Sequence, residues 1–183
     1  IDIGGGASPL AAELLRESYR DLAVLDISAA TLEKAKDNLG GNASNIEWIV
    51  ADVTEWKPER QWSVWHDRAL FHFLTDDAAQ DAYIRALNAA TAPGAIAIIS
   101  GFAPDGPEKC SGLPVVRYDA KSLSARLGER FDLLAEKREA HRGDARAHPV
   151  DLTGIDFVPA VGVDERLVRI AEPIETHEGQ DAR

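Results

Sequence analysis

The sequence predicts an α/β fold built on a doubly wound, mostly parallel sheet. Short apolar runs typical of buried strands alternate with segments that carry apolar residues at helical spacing. Three consecutive glycines separate the first strand from the first helix, and two later strands end in aspartate. In such a sheet the ligand binds at the carboxyl ends of the parallel strands, so the fold class also predicts where the site lies.

Local signals place each element of the first half. Ser8 is expected to cap the first helix, with Pro9 as its first residue, and Ser28 begins the second helix. Asp26 and Asp52 close the second and third strands. The predicted elements are a strand ending at residue 3, a helix over 9–18, a strand over 22–25, a helix over 28–39 and a strand over 46–51.

The second half continues the alternation. Thr75 and Asp119 are expected to cap helices, and Pro93-Gly94 to turn the chain into its most apolar strand. Residues 102–114 are too irregular for an element and are long enough to form a lid. The predicted elements are a strand over 62–66, a helix from 75 to 90, a strand over 95–99, a helix over 119–127 and a strand over 131–135.

Composition narrows the class of protein. The 183 residues suit one domain, and a net charge of −11 argues against electrostatic binding to nucleic acid. One cysteine, Cys110, and no long apolar run predict a cytoplasmic protein without disulfides or membrane spans. The five histidines are scattered, so we expect no metal site. Because the chain starts at Ile1, inside a predicted strand, we expect a fragment that lacks its N-terminus.

Two ligands compete for the glycine turn. Asp26 lies about twenty residues after it, the spacing of a dinucleotide site, but Pro9 occupies the place of the third glycine in that motif. S-adenosylmethionine (SAM) lacks phosphate and carries positive charge that acidic strand ends would accommodate. Asp26 would then accept hydrogen bonds from the ribose hydroxyls and Asp52 one from the adenine amino group. Ile27 and Val53 would enclose the ring.

At these residues the chain resembles class I SAM-dependent methyltransferases of the small bacterial type. The resemblance covers residues 1–142 and implies a Rossmann-like sheet of seven strands, the last antiparallel and beside the fifth. The matching segments are Asp2–Ser8 for the glycine motif, Val24–Ser28 for the ribose acid, Val50–Val53 for the adenine site and Trp65–Leu74 at the fourth strand end. The cofactor-binding residues expected are Asp2, Gly4, Gly5, Gly6, Asp26, Ile27, Asp52 and Val53.

Residues 143–183 form a divergent C-terminal tail of uncertain structure. The family pattern predicts an aromatic-rich strand here, whereas the tail carries Pro, Gly and acidic residues. Only residues 167–171 have the pattern of a strand, so the seventh strand is left uncertain.

The fourth strand leads into His66-Asp67-Arg68, where the transferable methyl group would point. We expect His66 or Asp67 to take a proton from the methyl acceptor, a small molecule or a protein. An internal Asp67–Arg68 ion pair is the alternative. His72 is expected to be a packed residue, and a pocket-lining role for Cys110 in the lid is disfavoured because this cysteine stands alone. The rival functions are an NAD(P)-dependent oxidoreductase and a catalytically silent SAM-binding protein.

Overall fold

The computed structural model describes residues 1–137 and, as a strand, residues 164–170. Seven of the described strands form one sheet, in the order β3-β2-β1-β4-β5-β9-β8. The first five are parallel to one another, as the alternating pattern predicts. The strands are β1 Asp2–Ile3, β2 Ala23–Asp26, β3 Glu47–Val50, β4 Trp62–Arg68, β5 Thr91–Gly101, β6 Lys109–Cys110, β7 Leu113–Pro114, β8 Phe131–Lys137 and β9 Asp164–Ile170.

The seventh strand of the sheet comes from the segment expected to be a divergent tail. β9 lies between β5 and β8 and is antiparallel to both. It overlaps residues 167–171, the part of the tail with a strand pattern, and begins three residues earlier. Pairing in a sheet is made by backbone groups, so β9 needs no aromatic side chains to fill this place. The predicted domain boundary at residue 142 lies outside the described residues.

Within the described residues four α-helices flank the sheet: α1 Leu10–Arg16, α2 Ala29–Leu39, α3 Asp77–Ala90 and α4 Ala120–Leu127. Ser28 caps α2 and Asp119 caps α4, as predicted. The expected cap at Thr75 is wrong, because Asp76 accepts the Ala79 amide at 2.9 Å instead. Short 3-10 helices span Gly40–Asn45 and Phe71–Phe73.

Two predicted loops contain strand. Pro93-Gly94 does not precede β5 but lies within it, in a bulge between the pairs Trp62–Thr91 and Val64–Ile96. The predicted lid is likewise not wholly irregular, since β6 and β7 form a hairpin there. Ser111 and Gly112 have φ values of +50° and +83°, which make the tight turn of this hairpin.

The core has a layer on each face of the sheet. Alternate residues of β2 show this, because Leu25 belongs to the cluster under α3 and α4, whereas Val24 packs with Leu32 of α2. In the larger layer Trp65 Nε1 donates to Tyr83 Oη at 2.8 Å. These layers hold the carboxyl ends of β1, β2, β4 and β5 in fixed relative positions. The candidate site lies at these strand ends.

Candidate functional site

The glycine turn folds back over the carboxyl end of β2. The Gly4 and Gly5 amides both donate to the Leu25 carbonyl, at 2.8 and 3.3 Å. Gly4 and Gly6 have φ values of +68° and +48°, a region that side chains disfavour. The turn closes with the Ser8 amide donating to Gly5 O at 2.7 Å. It therefore presents bare backbone at the edge of the sheet.

No side chain fits in the middle of this turn. A Cβ atom at Gly4 would lie 2.7 Å from Leu70 Cδ1, and one at Gly5 would lie 2.5 Å from Asp2 Oδ2. Both distances are shorter than a Cβ tolerates. The glycines are thus required by packing against Asp2 and Leu70, and the same contacts place the end of β4 next to the turn.

Asp26 stands at the end of β2, beside the glycine turn. Its Oδ1 accepts the Ser28 amide at 2.8 Å, and its Oδ2 lies 3.1 Å from the place of a Cβ on Gly6. Oδ2 accepts no hydrogen bond among the described residues. Ile27, which follows, is 69% exposed. A carboxylate oxygen and an apolar side chain therefore border the turn in an open position.

Asp52 follows β3, at the neighbouring strand end. Its Oδ1 accepts hydrogen bonds from the Thr54 amide and hydroxyl, at 2.8 and 2.7 Å. Val53 is only 4% exposed and packs in the larger core layer. Enclosure of a ring by both Ile27 and Val53 stays a prediction, and the burial of Val53 argues that Ile27 would supply most of that contact.

Asp2 and His66 form a pair across β1 and β4. Their Cα atoms are register partners, and His66 Nδ1 lies 2.7 Å from Asp2 Oδ1. Asp2 is 7% exposed and its other oxygen lies under Gly5. The structure thus brings the predicted cofactor residue Asp2 into contact with the predicted catalytic residue His66. Asp2 also packs against Gly5 of the glycine turn.

Asp67 has a different environment from the one predicted for a proton acceptor. Its side chain is 0% exposed, and its oxygens accept hydrogen bonds from Leu70 N at 2.7 Å, Phe71 N at 3.0 Å and Tyr83 Oη at 2.6 Å. Burial raises the pKa of the Asp67 carboxyl to about 6, although these donors favour the charged form. Successive strand residues face opposite sides of a sheet, so His66 and Asp67 point apart.

A direct catalytic role for Asp67 therefore stays a prediction. The complete burial of its carboxylate argues against that role. The contacts instead fix the chain between β4 and α3, including Leu70 beside Gly4. No hydrogen bond or ion pair joins Asp67 to Arg68 among the described residues, so the alternative ion pair is not supported. Tyr83 is the residue that sequence reasoning missed here. Tyr83 and Leu87 lie four residues apart on α3, a spacing that indicates burial, but nothing in the sequence pattern links the Tyr83 hydroxyl to Asp67.

Comparison with known proteins identifies the family. The profile of the methyltransferase domain matches residues 1–94, just over half of the chain and all of the site described above. The chain belongs to this family. Membership confirms the predicted resemblance to SAM-dependent methyltransferases.

A curated methyltransferase is similar to part of this chain. A malonyl-[acyl-carrier protein] O-methyltransferase of Ilyobacter polytropus is 30% identical over 77 residues, which are 42% of this chain and 28% of that enzyme. The chain thus matches less than a third of the length of that curated relative.

Solved structures confirm the fold class of the domain. The 1,6-didemethyltoxoflavin-N1-methyltransferase of Burkholderia thailandensis has a TM-score of 0.66 and 18% identity, covering 93% of this chain and 70% of that one. The glycopeptide N-methyltransferase MtfA has a TM-score of 0.68 and 10% identity, covering 92% of this chain and 87% of that one.

The described residues contain no group of His, Cys, Asp and Glu arranged to hold a metal ion. Within the same residues no helix has the length and apolar character needed to cross a membrane. The residues present fit a nucleoside cofactor, because a Cβ-free turn and the Oδ2 of Asp26 face the same open edge.

Proposed function

We propose that this chain catalyses SAM-dependent methyl transfer to a small-molecule or protein acceptor. The observation that carries the proposal is the approach of Asp26 Oδ2 to the backbone of Gly6, in a domain of the methyltransferase family. An acceptor oxygen and unhindered backbone at one strand end suit a ribose next to a flexible amino-acid chain.

Several residues would hold the cofactor. Asp26 would accept hydrogen bonds from the ribose hydroxyls, and Ile27 would cover one face of the adenine. Asp52 would accept a hydrogen bond from the adenine amino group through the oxygen that Thr54 does not use. The glycine turn would lie against the methionine part. When bound, the cofactor supplies a methyl group on a positively charged sulfur.

The chain itself must align the acceptor and exclude water, because direct displacement depends mainly on orientation. The predicted lid, residues 102–114, contains the hairpin β6–β7 and would serve as the cover. The chain directly after it contacts the segment that follows β4, because Val116 N donates to the His72 carbonyl. We propose His66 as the proton acceptor where the reaction needs one. Its Nδ1 contact with Asp2 fixes the orientation of the imidazole ring.

Charge restricts the acceptor. A net charge of −11 opposes electrostatic binding of nucleic acid, so we propose a small molecule or protein as acceptor. A cytoplasmic location and the absence of membrane partners also remain proposals. Two methyltransferases to which the chain is similar support this acceptor class, because one is named for a malonyl-[acyl-carrier protein] and the other for the small molecule 1,6-didemethyltoxoflavin.

Calorimetric titration tests the proposal most simply. The wild-type chain is titrated separately with SAM and with NAD, and we expect saturable heat with SAM alone. Binding of NAD in preference to SAM would contradict the proposal and support an oxidoreductase. A chain that binds SAM but transfers no labelled methyl group to any acceptor would instead be a catalytically silent binding protein.

A further inference from the structure

Arg68 is the last residue of β4, and its guanidinium has no partner among the described residues. The side chain is exposed, and no hydrogen bond or ion pair within the described part of the chain reaches it. By contrast, the guanidinium of Arg60 contacts both Asp21 and Glu47. The residues that end the other four parallel strands of the sheet, and those that directly follow all five, are neutral or acidic. Arg68 is therefore the one cation at these described strand ends, and its charge is not neutralised there.

The backbone on the carboxyl side of Arg68 is held in place. Ala69 has a φ of +67°, a region that disfavours residues with a side chain. Its amide donates to the Ser100 carbonyl at 3.0 Å, and the Asp67 carboxylate accepts the next two amides of the chain, at 2.7 and 3.0 Å. Strained backbone of this kind persists only where the surrounding structure imposes it, and it is most frequent at ligand-binding sites. The fold thus fixes the position of Arg68 and leaves its side chain exposed.

Arg68 lies on the acceptor side of the proposed cofactor site. The proposed contacts follow the order of the strands, with adenine at Asp52 after β3, ribose at Asp26 of β2 and the methionine part on the turn after β1. β4 is the next strand in this order. The end of β4 also touches the turn, because a Cβ on Gly4 would lie 2.7 Å from Leu70 Cδ1. An acceptor that approaches the transferable methyl group would therefore lie over the end of β4.

His66, the proposed proton acceptor, lies on the same face of β4 as Arg68. Alternate residues of a strand face the same side of the sheet, and two residues span about 6.6 Å. An acceptor that places its reacting atom near the imidazole would have a second group, roughly that far away, near the guanidinium. A guanidinium binds a carboxylate through two parallel hydrogen bonds. The spacing therefore suits an acceptor with a carboxylate several bonds away from its reacting atom.

Charge favours the same kind of acceptor. SAM carries a positive sulfonium and a positive ammonium group, and only one carboxylate. A neutral acceptor would leave the Arg68 guanidinium near the sulfonium without a counter-charge, and like charges repel each other. A carboxylate on the acceptor would neutralise the guanidinium and would bring negative charge towards the sulfonium.

We propose that Arg68 binds a carboxylate group of a small-molecule methyl acceptor, which makes the acceptor an organic acid. This inference rests on the proposed function and adds the acceptor class and an acceptor-binding residue. The carboxylate would accept two hydrogen bonds from the guanidinium, and the reacting atom would face the methyl group beside His66. The methionine part of the cofactor also carries a carboxylate, so the experiment must separate these two sources.

Labelled SAM and the low-mass fraction of a bacterial lysate provide the probe. An anion-exchange resin divides that fraction into bound anions and unbound compounds, and part of the anions is treated with phosphatase. We expect the wild type to label the anions, with or without phosphatase. Arg68→Gln should transfer at least tenfold more slowly, because it loses two charge-assisted hydrogen bonds. Arg68→Lys keeps the charge without the paired geometry, so it should recover part of the rate.

Arg85→Gln is the matched control, because Arg85 is also exposed and has no partner among the described residues, but lies in the middle of α3. It should transfer at the wild-type rate. Calorimetry with SAM and with decarboxylated SAM tests the cofactor as the source of the carboxylate. Arg68→Gln should bind each compound within about twofold of wild type.

Three results would overturn the inference. The first is a loss of affinity for SAM but not for decarboxylated SAM in Arg68→Gln, which would assign the guanidinium to the cofactor. The second is a normal transfer rate in Arg68→Gln. The third is label found only in the unbound compounds, only in anions that phosphatase removes, or in nothing while the wild type binds SAM. Failure of the wild type to bind SAM would instead overturn the proposed function itself.

Discussion

Asp26 and Asp67 occupy comparable places at the carboxyl ends of parallel strands, yet their surroundings differ. Asp26 uses one oxygen to accept the Ser28 amide and turns the other towards the glycine turn. Asp67 is fully buried, and both of its oxygens accept hydrogen bonds from the protein. The position in the strand places both residues at one edge of the sheet, but the face on which each side chain lies determines what it can bind.

The difference between Asp26 and Asp67 indicates that the two halves of the sheet have different roles, one in binding and one in structure. The β1–β2 half presents open backbone and an open carboxylate oxygen, which suits a ligand. The β4–β5 half ties its strand end to α3 through Asp67 and Tyr83, and this bond network holds Leu70 against the turn. The open strand ends of β1 and β2 are thus positioned by the buried hydrogen bonds at the end of β4.

Removal of the Asp67 carboxylate should have the largest effect on stability. Asp67→Ala leaves the Tyr83 hydroxyl and two backbone amides without their acceptor, so the free energy of unfolding should fall by about 3 kcal/mol or more. Asp26→Ala, which loses one bond in a half-exposed place, should cost about 1 kcal/mol. Urea denaturation measures the free energy of unfolding of both variants. Equal losses would contradict the difference between Asp26 and Asp67.

The pH dependence of the free energy of unfolding should show the effect of burying the Asp67 carboxylate. The folded-state pKa of Asp67, about 6, lies above the ordinary value of 3.8, so the folded protein holds this proton more tightly than the unfolded chain. Its contribution to stability is complete below about pH 4 and is lost as the pH rises through 6, a change of up to about 3 kcal/mol. Asp67→Asn should lack this slope in urea titrations at pH 4 to 7. Parallel curves for both proteins would contradict the assignment.

A side chain added within the glycine turn should weaken ligand binding more than it destabilises the fold. In Gly5→Ala the new Cβ would meet Asp2 Oδ2 at 2.5 Å and Val24 Cγ1 at 2.8 Å, so the turn must shift. We expect SAM affinity to fall at least about tenfold, or roughly 1.4 kcal/mol, in calorimetry. Gly41→Ala is the control, because a Cβ there meets nothing within 4 Å. Unchanged affinity in Gly5→Ala would show that the turn does not contact the cofactor.

Much of the fold was predictable because its signals are local. The apolar runs of β2 and β4, the caps Ser28 and Asp119 and the glycine turn all depend on neighbours in sequence. The pairing of β9 beside β5 was harder, since about sixty residues separate these strands and backbone pairing leaves little trace in sequence.

The site was predictable in location and less so in role. Spacing placed Asp2, Asp26 and Asp67 at one edge, but it could not tell an open carboxylate from one held by Tyr83, sixteen residues later. His72 was expected to be a packed residue, and it is buried. Its two unpaired nitrogens appear only when every surrounding element is in place.

Calorimetric titration of SAM into Asp26→Ala and Asp67→Asn tests the central contrast most directly. The loss of charge-assisted hydrogen bonds to the ribose should weaken binding to Asp26→Ala by about 1–3 kcal/mol, or roughly 5- to 150-fold. Asp67→Asn, once shown to be folded by near-ultraviolet circular dichroism, should bind within about threefold of wild type. Unchanged affinity in Asp26→Ala, or an equal loss in both variants, would contradict the account.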